Sequence, residues 1–253
     1  MKTYVITGAT TGIGAAVREA LQSRGDRVVN IDLRDADIEV DLSTPKGRQT
    51  AIDAVEAEHA DGIDGWVPCA GLGPQFENLQ TIVSLNFFHV RQLTEAFKEL
   101  LAKKSGASVL IASNSAPMPG LDPALLDAMV VDCDEEKARA RILELNGFQA
   151  YSGSKAALCR WMRGLAPEWA REGLRINAVA PGTTQTPLLQ AGLDDEVYGR
   201  AIRAFEVPIG YFAAPEQIAR GVLFLLGEDA DFCVGSVLFI DGGSDALIRP
   251  NGF

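Results

Sequence analysis

Short runs of apolar and β-branched residues alternate along the chain with longer stretches in which apolar residues recur at helical spacing. This alternation is typical of βαβ units built around a parallel sheet. The candidate strands are residues 4–7, 27–32, 65–68, 108–112, 175–180 and 236–240. Between the first two strands, Ile13, Val17, Ala20 and Leu21 form an apolar stripe that can lie on the sheet. The pattern predicts an α/β fold with a doubly wound parallel sheet.

The composition predicts one domain over residues 1–253. Of the 253 residues, 47% are apolar and 23% are charged, which is enough to bury a substantial core. No Ser/Pro/Gly-rich linker interrupts the chain. Residues 118–147 are rich in helix formers; Asp122 can cap a helix that begins at Pro123, and Gly147 can end a second one. We expect this segment to be an ordered helical insertion.

The net charge of −11 argues against a nucleic-acid partner, because binding phosphates needs clustered Lys and Arg. There is no run of about 18 apolar residues that could span a membrane and no apolar signal segment. We therefore expect a cytoplasmic protein with no membrane partner.

The cysteines and histidines do not have metal-ligand spacing. Cys69, Cys133, Cys159 and Cys233 include no Cys-x-x-Cys pair, and His59 and His89 are far apart. We expect no metal site, reduced thiols, and histidines that are packed or at the surface.

A glycine-rich turn, Thr7 to Gly14, follows the first strand and opens the first helix. Its glycines allow a tight turn, and amides at a helix N-terminus can face a pyrophosphate. This context indicates a nucleotide site of the Rossmann type. The candidate contacts in the turn are Gly8, Thr11, Gly12, Ile13 and Gly14.

Asp32 ends the second strand, 18 residues after Gly14. An acidic side chain at about this offset binds the adenosine ribose hydroxyls, and its charge repels a 2′-phosphate. Asp32 therefore favours NAD over NADP, although Arg34 can partly accommodate that phosphate. The alternative is an ordinary strand-end or turn aspartate.

The segment Tyr151-Ser152-Gly153-Ser154-Lys155 completes an ordered set of motifs. The others are Thr7 to Gly14, Cys69-Ala70-Gly71, Asn86, Ser113 and Pro181-Gly182. With this set the chain resembles the short-chain dehydrogenase/reductase family over essentially its whole length. The resemblance implies a nicotinamide-dependent oxidoreductase acting on CH–OH groups.

Tyr151 and Lys155 lie four residues apart, so they share one face of a helix. The ammonium can then stabilise the phenolate and lower the phenol pKa from about 10, as proton transfer at neutral pH requires. Tyr151 is the expected base in alcohol oxidation and acid in ketone reduction. The resemblance further implies that Lys155 binds the nicotinamide ribose.

The resemblance assigns two further catalytic positions. Ser113 matches the serine that holds the substrate oxygen, with Ser115 as the rival. Asn86 matches the asparagine that supports a proton-relay water, and the alternative is a capped or kinked helix position.

The resemblance also implies further cofactor contacts. The segment Cys69-Ala70-Gly71 departs from the usual Asn-Ala-Gly of the family. The small Ala-Gly pair still allows close approach to the adenosine. Cys69 is interpreted as a packed thiol with no redox role. Asp41 and Leu42 match an adenine-binding pair; the alternative for Asp41 is an exposed turn aspartate. Residues that match the carboxamide-binding stretch are Pro181, Gly182, Thr184 and Thr186. Of the two threonines Thr186 is the first choice, and a helix N-cap threonine is the other interpretation, compatible with cofactor contact.

Residues 183–212 carry eight apolar side chains, enough for a lid over a hydrophobic alcohol or ketone. Alternatively, these side chains bury the lid helices on the core. Within the family, the long insertion and several short stretches resemble members that oxidise the 3α-hydroxyl of steroids with NAD and reduce assorted ketones. The alternatives are a dehydrogenase of another apolar or aromatic alcohol and, remotely, a non-catalytic cofactor-sensing protein.

The insertion just before Tyr151 also bears on assembly. Family members usually associate through the helices that flank this tyrosine, so the insertion is placed to add to or replace that contact. We expect a homodimer or homotetramer.

Overall fold

The computed structural model describes residues 1–252. Seven parallel strands form one sheet in the order β3-β2-β1-β4-β5-β6-β7. The strands are β1 (Thr3–Thr7), β2 (Arg27–Asp32), β3 (Ile38–Glu39), β4 (Gly65–Pro68), β5 (Ala107–Ile111), β6 (Arg175–Pro181) and β7 (Val237–Ile240). Strand order reverses between β1 and β4, which is where doubly wound sheets open a crevice for ligands.

Helices connect the strands and cover both faces of the sheet. The α-helices are α1 (Gly12–Gln22), α2 (Pro45–Glu58), α3 (Leu79–Val83), α4 (His89–Ala96), α5 (Lys98–Ala102), α6 (Pro123–Val130), α7 (Glu135–Ile142), α8 (Gly147–Arg171), α9 (Pro187–Asp194), α10 (Tyr198–Ala204), α11 (Pro215–Leu226) and α12 (Ser244–Ile248). A π-helical turn, Ser84–Phe88, lies between α3 and α4. None of the helices in residues 1–252 is both long and apolar enough to cross a bilayer.

The core has two layers, one on each side of the sheet. On one side, α1 and α11 bury Val17, Leu21 and Val222. On the other side, a larger cluster includes Trp66 on β4 and Trp161 on α8. The predicted doubly wound, Rossmann-type single domain is therefore confirmed.

The predicted strands all occur, with ends that differ by at most one residue. The strand that the pattern did not predict is β3, which is only two residues long and pairs with Ile31 and Asp32 of β2. Two residues at a sheet edge produce no periodicity, so the hydrophobic pattern carries no sign of them.

The insertion folds as α6 and α7. As predicted, Asp122 caps α6: its carboxylate accepts a hydrogen bond from the Leu125 amide at 2.7 Å. The prediction that Gly147 ends the second helix is wrong. Helix α7 ends at Ile142, and Gly147 begins α8 after the N-cap residue Asn146. Glycine is required there because a Cβ atom would lie 1.9 Å from the Pro74 carbonyl oxygen.

Candidate active site

The glycine turn brings the backbone of β1 against the segment that follows β4. Gly8 has a φ of +67°, and a Cβ atom on it would lie 2.7 Å from Ala70 Cα. A Cβ atom on Gly14 would lie 2.2 Å from the Gly8 carbonyl oxygen. The turn therefore has space for backbone only, and its open side fits a pyrophosphate at the N-terminus of α1. Thr11, the N-cap residue, makes no side-chain capping bond that would occupy these amides.

Asp32 lies beside the glycine turn, as the sequence predicts. Its carboxylate accepts hydrogen bonds from the Thr10 amide at 3.2 Å and from the Leu33 amide at 2.8 Å. These contacts hold a negative charge next to the turn.

Asn30 is a residue that the motif analysis missed. It is buried within β2 and accepts a hydrogen bond from the Ala9 amide at 3.0 Å, while its own side-chain amide donates to Thr10 Oγ1 at 3.1 Å. A polar residue inside an otherwise apolar strand was the available signal, since a buried amide needs partners.

Asp41 and Leu42 precede α2 on the same edge of the sheet. Leu42 is buried, while Asp41 is exposed and one of its carboxylate oxygens accepts hydrogen bonds from the amide and hydroxyl of Ser43. Asp41 therefore shapes the turn before the helix, as the alternative interpretation states. The adenine contact of Asp41 stays a prediction.

Cys69, Ala70 and Gly71 continue β4 toward the glycine turn. The Cys69 amide donates to the Thr7 carbonyl oxygen at 3.0 Å, and the Ala70 amide donates to Thr7 Oγ1 at 3.1 Å. Burial raises the pKa of the Cys69 thiol to about 12. The thiolate is the reactive form, so this pKa supports the interpretation of Cys69 as packing.

Ser113 follows β5 and is brought to Tyr151 of α8. The pKa of Tyr151 is raised by burial, and a hydrogen bond with the Ser113 side chain opposes that increase. Ser115 supports Ser113, because both its amide and its hydroxyl donate to Ser113 Oγ at 3.1 Å. Ser113 is therefore the serine that acts on the phenol pKa, and Ser115 contacts Ser113.

Lys155 lies one turn after Tyr151 and is 7% exposed. Its ammonium donates to the Ile111 carbonyl oxygen at 2.7 Å, and burial lowers its pKa to about 8. The expectation that Lys155 lowers the pKa of Tyr151 is wrong for this structure, in which the phenol pKa is raised. Burial raises the phenol pKa, and the Lys155 ammonium is directed to the end of β5 instead of the phenol.

Asn86 lies in the π-helical turn and is fully buried. Its side chain accepts from the Leu72 amide at 2.9 Å and donates to the Leu72 carbonyl oxygen at 3.0 Å. A Cβ atom on Gly71 would lie 3.1 Å from Asn86 Oδ1 and 3.8 Å from Lys155 Nζ. Asn86 thus lies in a π-helical turn that places it beside Gly71 and near Lys155. π-Helical turns often occur at functional sites.

Thr186 reaches the glycine turn from the opposite half of the sheet. A Cβ atom on Gly12 would lie 3.2 Å from Thr186 Cγ2. The Thr186 side chain also caps α9, accepting from the Leu189 amide at 3.2 Å. Thr184 is buried and its hydroxyl donates to the Gly182 carbonyl oxygen at 2.9 Å. Gly182 follows Pro181, the last residue of β6, so this stretch lies at the same sheet edge as the turn.

The predicted lid, residues 183–212, contains α9 and α10. None of its eight predicted apolar side chains is buried; Ile209 is 56% and Tyr211 is 50% exposed. The eight are Leu188, Leu189, Leu193, Phe205, Val207, Ile209, Tyr211 and Phe212. This exposure favours a lid over helices buried on the core.

Two lid contacts were not predicted. Gln75 Nε2 donates to the Leu188 carbonyl oxygen at 3.3 Å. A Cβ atom on Gly147 would lie 2.5 Å from the Tyr198 hydroxyl, so Tyr198 of α10 lies against the start of α8. Burial raises the pKa of Tyr198, and a hydrogen bond from the Phe148 backbone opposes that increase. These contacts join segments far apart in the chain, for which sequence spacing gives no signal.

Comparison with known proteins is consistent with this arrangement. A family model described as short chain dehydrogenase matches residues 2–123, and one described as Enoyl-(Acyl carrier protein) reductase matches residues 138–245. The chain is 43% identical, over all of both chains, to a 3-alpha-hydroxysteroid dehydrogenase/carbonyl reductase of Comamonas testosteroni. It is 31% identical to a cis-4-hydroxycyclohexanecarboxylate dehydrogenase of Sinomonas cyclohexanicum, with 96% of each chain covered.

A solved structure is also similar along the whole chain. The 3-alpha-hydroxysteroid dehydrogenase from Pseudomonas sp. B-0831, complexed with NADH, superposes with a TM-score of 0.96 at 41% identity. The match covers 99% of this chain and 100% of that one.

Proposed function

The chain belongs to the short-chain dehydrogenase/reductase family and is an oxidoreductase of CH–OH groups, and we propose that it interconverts 3α-hydroxysteroids and their ketones with NAD. The observation that carries the proposal is the placement of Ser113 beside the Tyr151 phenol, with Lys155 buried one helical turn away and bonded to Ile111. This group lies at the sheet edge that also carries the glycine turn.

NAD is the proposed cofactor because of the charge beside the turn. The glycine cradle of Gly8, Gly12 and Gly14 fits a dinucleotide, and Asp32 disfavours a 2′-phosphate. In the proposed binding mode, Thr11 and Ile13 flank the pyrophosphate, Asp41 and Leu42 the adenine, and Pro181, Gly182, Thr184 and Thr186 the carboxamide. NADH in the similar Pseudomonas structure supports this choice.

In the proposed mechanism, Tyr151 takes the hydroxyl proton during oxidation and returns it during reduction. Ser113 holds the substrate oxygen by a hydrogen bond where negative charge develops. Lys155 binds the nicotinamide ribose. Asn86 holds the segment after β4 and supports proton exchange near Lys155. When bound, the nicotinamide supplies the hydride acceptor or donor.

A hydrophobic ring alcohol suits the exposed apolar side chains of the lid, since apolar substrates bind where apolar surface is covered on closure. The activity named for the Comamonas relative, 3-alpha-hydroxysteroid dehydrogenase/carbonyl reductase, supports the steroid and the accompanying carbonyl reductase activity.

The test is absorbance at the reduced-nicotinamide band, with NAD or NADP, against 3α-hydroxysteroids, their 3β epimers and aromatic allylic alcohols. We expect NAD reduction with the 3α-hydroxysteroid. Tyr151→Phe should abolish nearly all turnover and still bind NADH. Turnover only with an aromatic or other apolar alcohol would replace the steroid assignment, and full turnover by Tyr151→Phe would overturn the mechanism.

We also propose a homodimer or homotetramer. Val131 and Leu143 of the insertion are 72% and 68% exposed, and apolar surface of this kind favours association. Analytical ultracentrifugation should give a dimer or tetramer at micromolar concentration, and a sedimentation profile of monomer alone would contradict the proposal. If assembly uses this surface, Val131→Asp and Leu143→Asp should produce monomer.

A further inference from the structure

His89 is a fully buried histidine between β1 and the π-helical turn. Its Nε2 atom lies 3.2 Å from Thr7 Oγ1, and its Nδ1 atom is hydrogen-bonded to the Leu85 carbonyl oxygen. Thr7 is the last residue of β1, directly before Gly8, and is itself fully buried.

The direction of each hydrogen bond follows from the chemistry of the partners. A carbonyl oxygen only accepts, so His89 Nδ1 carries the hydrogen that is donated to Leu85. In a neutral imidazole Nε2 is then an acceptor, and the Thr7 hydroxyl donates to it. Burial lowers the pKa of His89 to about 3, and the nearby Lys155 and Arg48 act in the same direction, while the bond to Leu85 opposes them. The ring is therefore neutral at physiological pH.

The Thr7 hydroxyl, with its hydrogen directed to His89, presents a lone pair to the Ala70 amide, which donates to it at 3.1 Å. Three groups are thus joined in series, from the Ala70 amide through Thr7 to His89. Removing the ring nitrogen would free the hydroxyl to rotate and leave its buried hydrogen without an acceptor.

The segment held in this way forms one wall of the glycine cradle. Gly8 and Ala70 pack so closely that a Cβ atom on Gly8 would lie 2.7 Å from Ala70 Cα. Asn86, three residues before His89, fixes Leu72 through two hydrogen bonds at 2.9 and 3.0 Å. Asn86 of the π-helical turn and His89 at the start of α4 therefore act on the two ends of residues 70–72, with Gly71 between them beside Lys155.

We propose that His89 is a positioning residue for the cofactor site, which sets the Ala70-Gly71 backbone through the Thr7 hydroxyl. The proposal rests on the function proposed above, because it assumes that this backbone contacts the nicotinamide cofactor. His89 takes no part in proton transfer and touches neither substrate nor cofactor; it acts on affinity through Thr7.

The test is a titration with NADH, followed by nicotinamide fluorescence, well below the unfolding midpoint of every variant. His89→Phe and Thr7→Val should each weaken binding by about tenfold, the effect of losing one buried hydrogen bond. The double variant should bind no more weakly than the worse single one, because both changes break the same series of bonds. His89→Gln, which keeps an acceptor, should recover part of the affinity.

Steady-state kinetics and a second histidine separate positioning from simple destabilisation. The KM for NAD should rise in His89→Phe, with kcat at saturating NAD within about twofold of wild type, since only binding is lost. His59→Phe removes the other buried histidine, at the end of α2, and should keep wild-type NADH affinity.

Three results would each overturn the proposal. They are wild-type NADH affinity in His89→Phe, additive losses of affinity in the double variant, and an equal loss of NADH affinity in His59→Phe. Failure of the wild-type protein to bind NADH or NADPH would overturn the proposed function itself. The two failures are therefore distinguishable.

Discussion

The ammonium of Lys155 donates a 2.7 Å hydrogen bond to the carbonyl oxygen of Ile111, the last residue of β5. Ile111 lies two residues before Ser113, so this bond ties the helix that carries Tyr151 to the end of the strand that leads into Ser113. One buried cation thereby sets the distance between two elements of the active site. The burial has a measurable consequence, because it lowers the pKa of Lys155 to about 8 from an ordinary value of 10.5.

Replacing Lys155 with Met should change how stability depends on pH. Between pH 8 and the ordinary lysine pKa, the unfolded chain holds a proton that the folded protein has released, so the free energy of unfolding rises with pH. From pH 8 to 9 the wild type should gain up to about 1.4 kcal/mol relative to Lys155→Met. Urea unfolding at pH 7, 8 and 9 measures this difference.

Lys98→Met is the control for that experiment. Hydrogen bonds to Glu172 and Glu168 raise the pKa of Lys98, so its proton is retained in both states at pH 8 to 9. The free energy of unfolding of Lys98→Met should therefore change with pH in the same way as that of the wild type. A parallel curve for Lys155→Met would show that Lys155 is not desolvated as described.

The order of the main elements was predictable because each strand is a short apolar run between helical stretches. The exceptions have local causes. Strand β3 is too short for the alternation of apolar and polar residues to show. Glycine commonly ends helices, and for this reason the sequence predicts a helix end at Gly147. In the folded chain Gly147 begins α8 after the N-cap Asn146, and glycine is needed there because Pro74 approaches it from a distant segment.

Asp32→Ala should improve the use of NADP. The carboxylate lies beside the glycine turn, where it accepts from the Thr10 and Leu33 amides, and its removal eliminates the repulsion of a 2′-phosphate. We expect roughly a tenfold rise in kcat/KM for NADP, equivalent to about 1.4 kcal/mol, and a fall in kcat/KM for NAD. Both are obtained from initial rates over a range of cofactor concentrations.

Asp53→Ala provides the matched charge control. Asp53 is exposed on α2, and its side chain is hydrogen-bonded only to Gln49, at 2.8 Å. The same charge change there should leave the ratio of kcat/KM for NADP to kcat/KM for NAD unaltered. If Asp32→Ala and Asp53→Ala behave alike, net charge and not the position of Asp32 governs cofactor choice.

Tyr198→Phe should weaken the contact between the predicted lid and α8. The Tyr198 hydroxyl lies against Gly147 and Phe148 at the start of α8, and its loss removes one polar contact between lid and catalytic helix. We expect the KM for the hydrophobic alcohol to rise by about two- to fivefold, the effect of one neutral hydrogen bond, with kcat little changed.

Tyr211→Phe is the control for this experiment. The Tyr211 hydroxyl accepts a hydrogen bond from Gln217 on α11 at 3.3 Å, and not from α8. Its KM should stay near the wild-type value. Steady-state kinetics with the steroid compare the two, and an unchanged KM in Tyr198→Phe would remove the assigned role of this contact.

The residues predicted for the site are those with fixed motif spacing, such as Tyr151 and Lys155. The residues that sequence analysis missed act across the fold: Asn30 supports the glycine turn from β2, and Tyr198 meets α8 from the lid. The raised pKa of Tyr151 was also missed, because helical spacing says nothing about burial. Contacts and burial of this kind depend on packing, which has no period in the sequence.

The insertion is anchored to α2 by an ion pair between Arg48 and Glu135, with 2.6 Å between Arg48 Nη2 and Glu135 Oε2. The Arg48 side chain is 2% exposed and that of Glu135 is 20% exposed. Arg48 also has a buried Nε atom without a partner among the described residues. Because a buried guanidinium without its carboxylate is strongly disfavoured, Glu135→Gln should lower the free energy of unfolding by about 3 kcal/mol.

Urea unfolding at neutral pH measures that loss, and Glu136→Gln is the control. Glu136 is the next residue on α7, is 91% exposed and lies 3.8 Å from Arg139, so its neutralisation should cost less than about 1 kcal/mol. The double variant Arg48→Met/Glu135→Leu should recover most of the loss, because replacing both charges with apolar groups leaves no unpaired charge. If Glu135→Gln proves as stable as Glu136→Gln, solvent reaches Arg48 and the pair does not anchor the insertion.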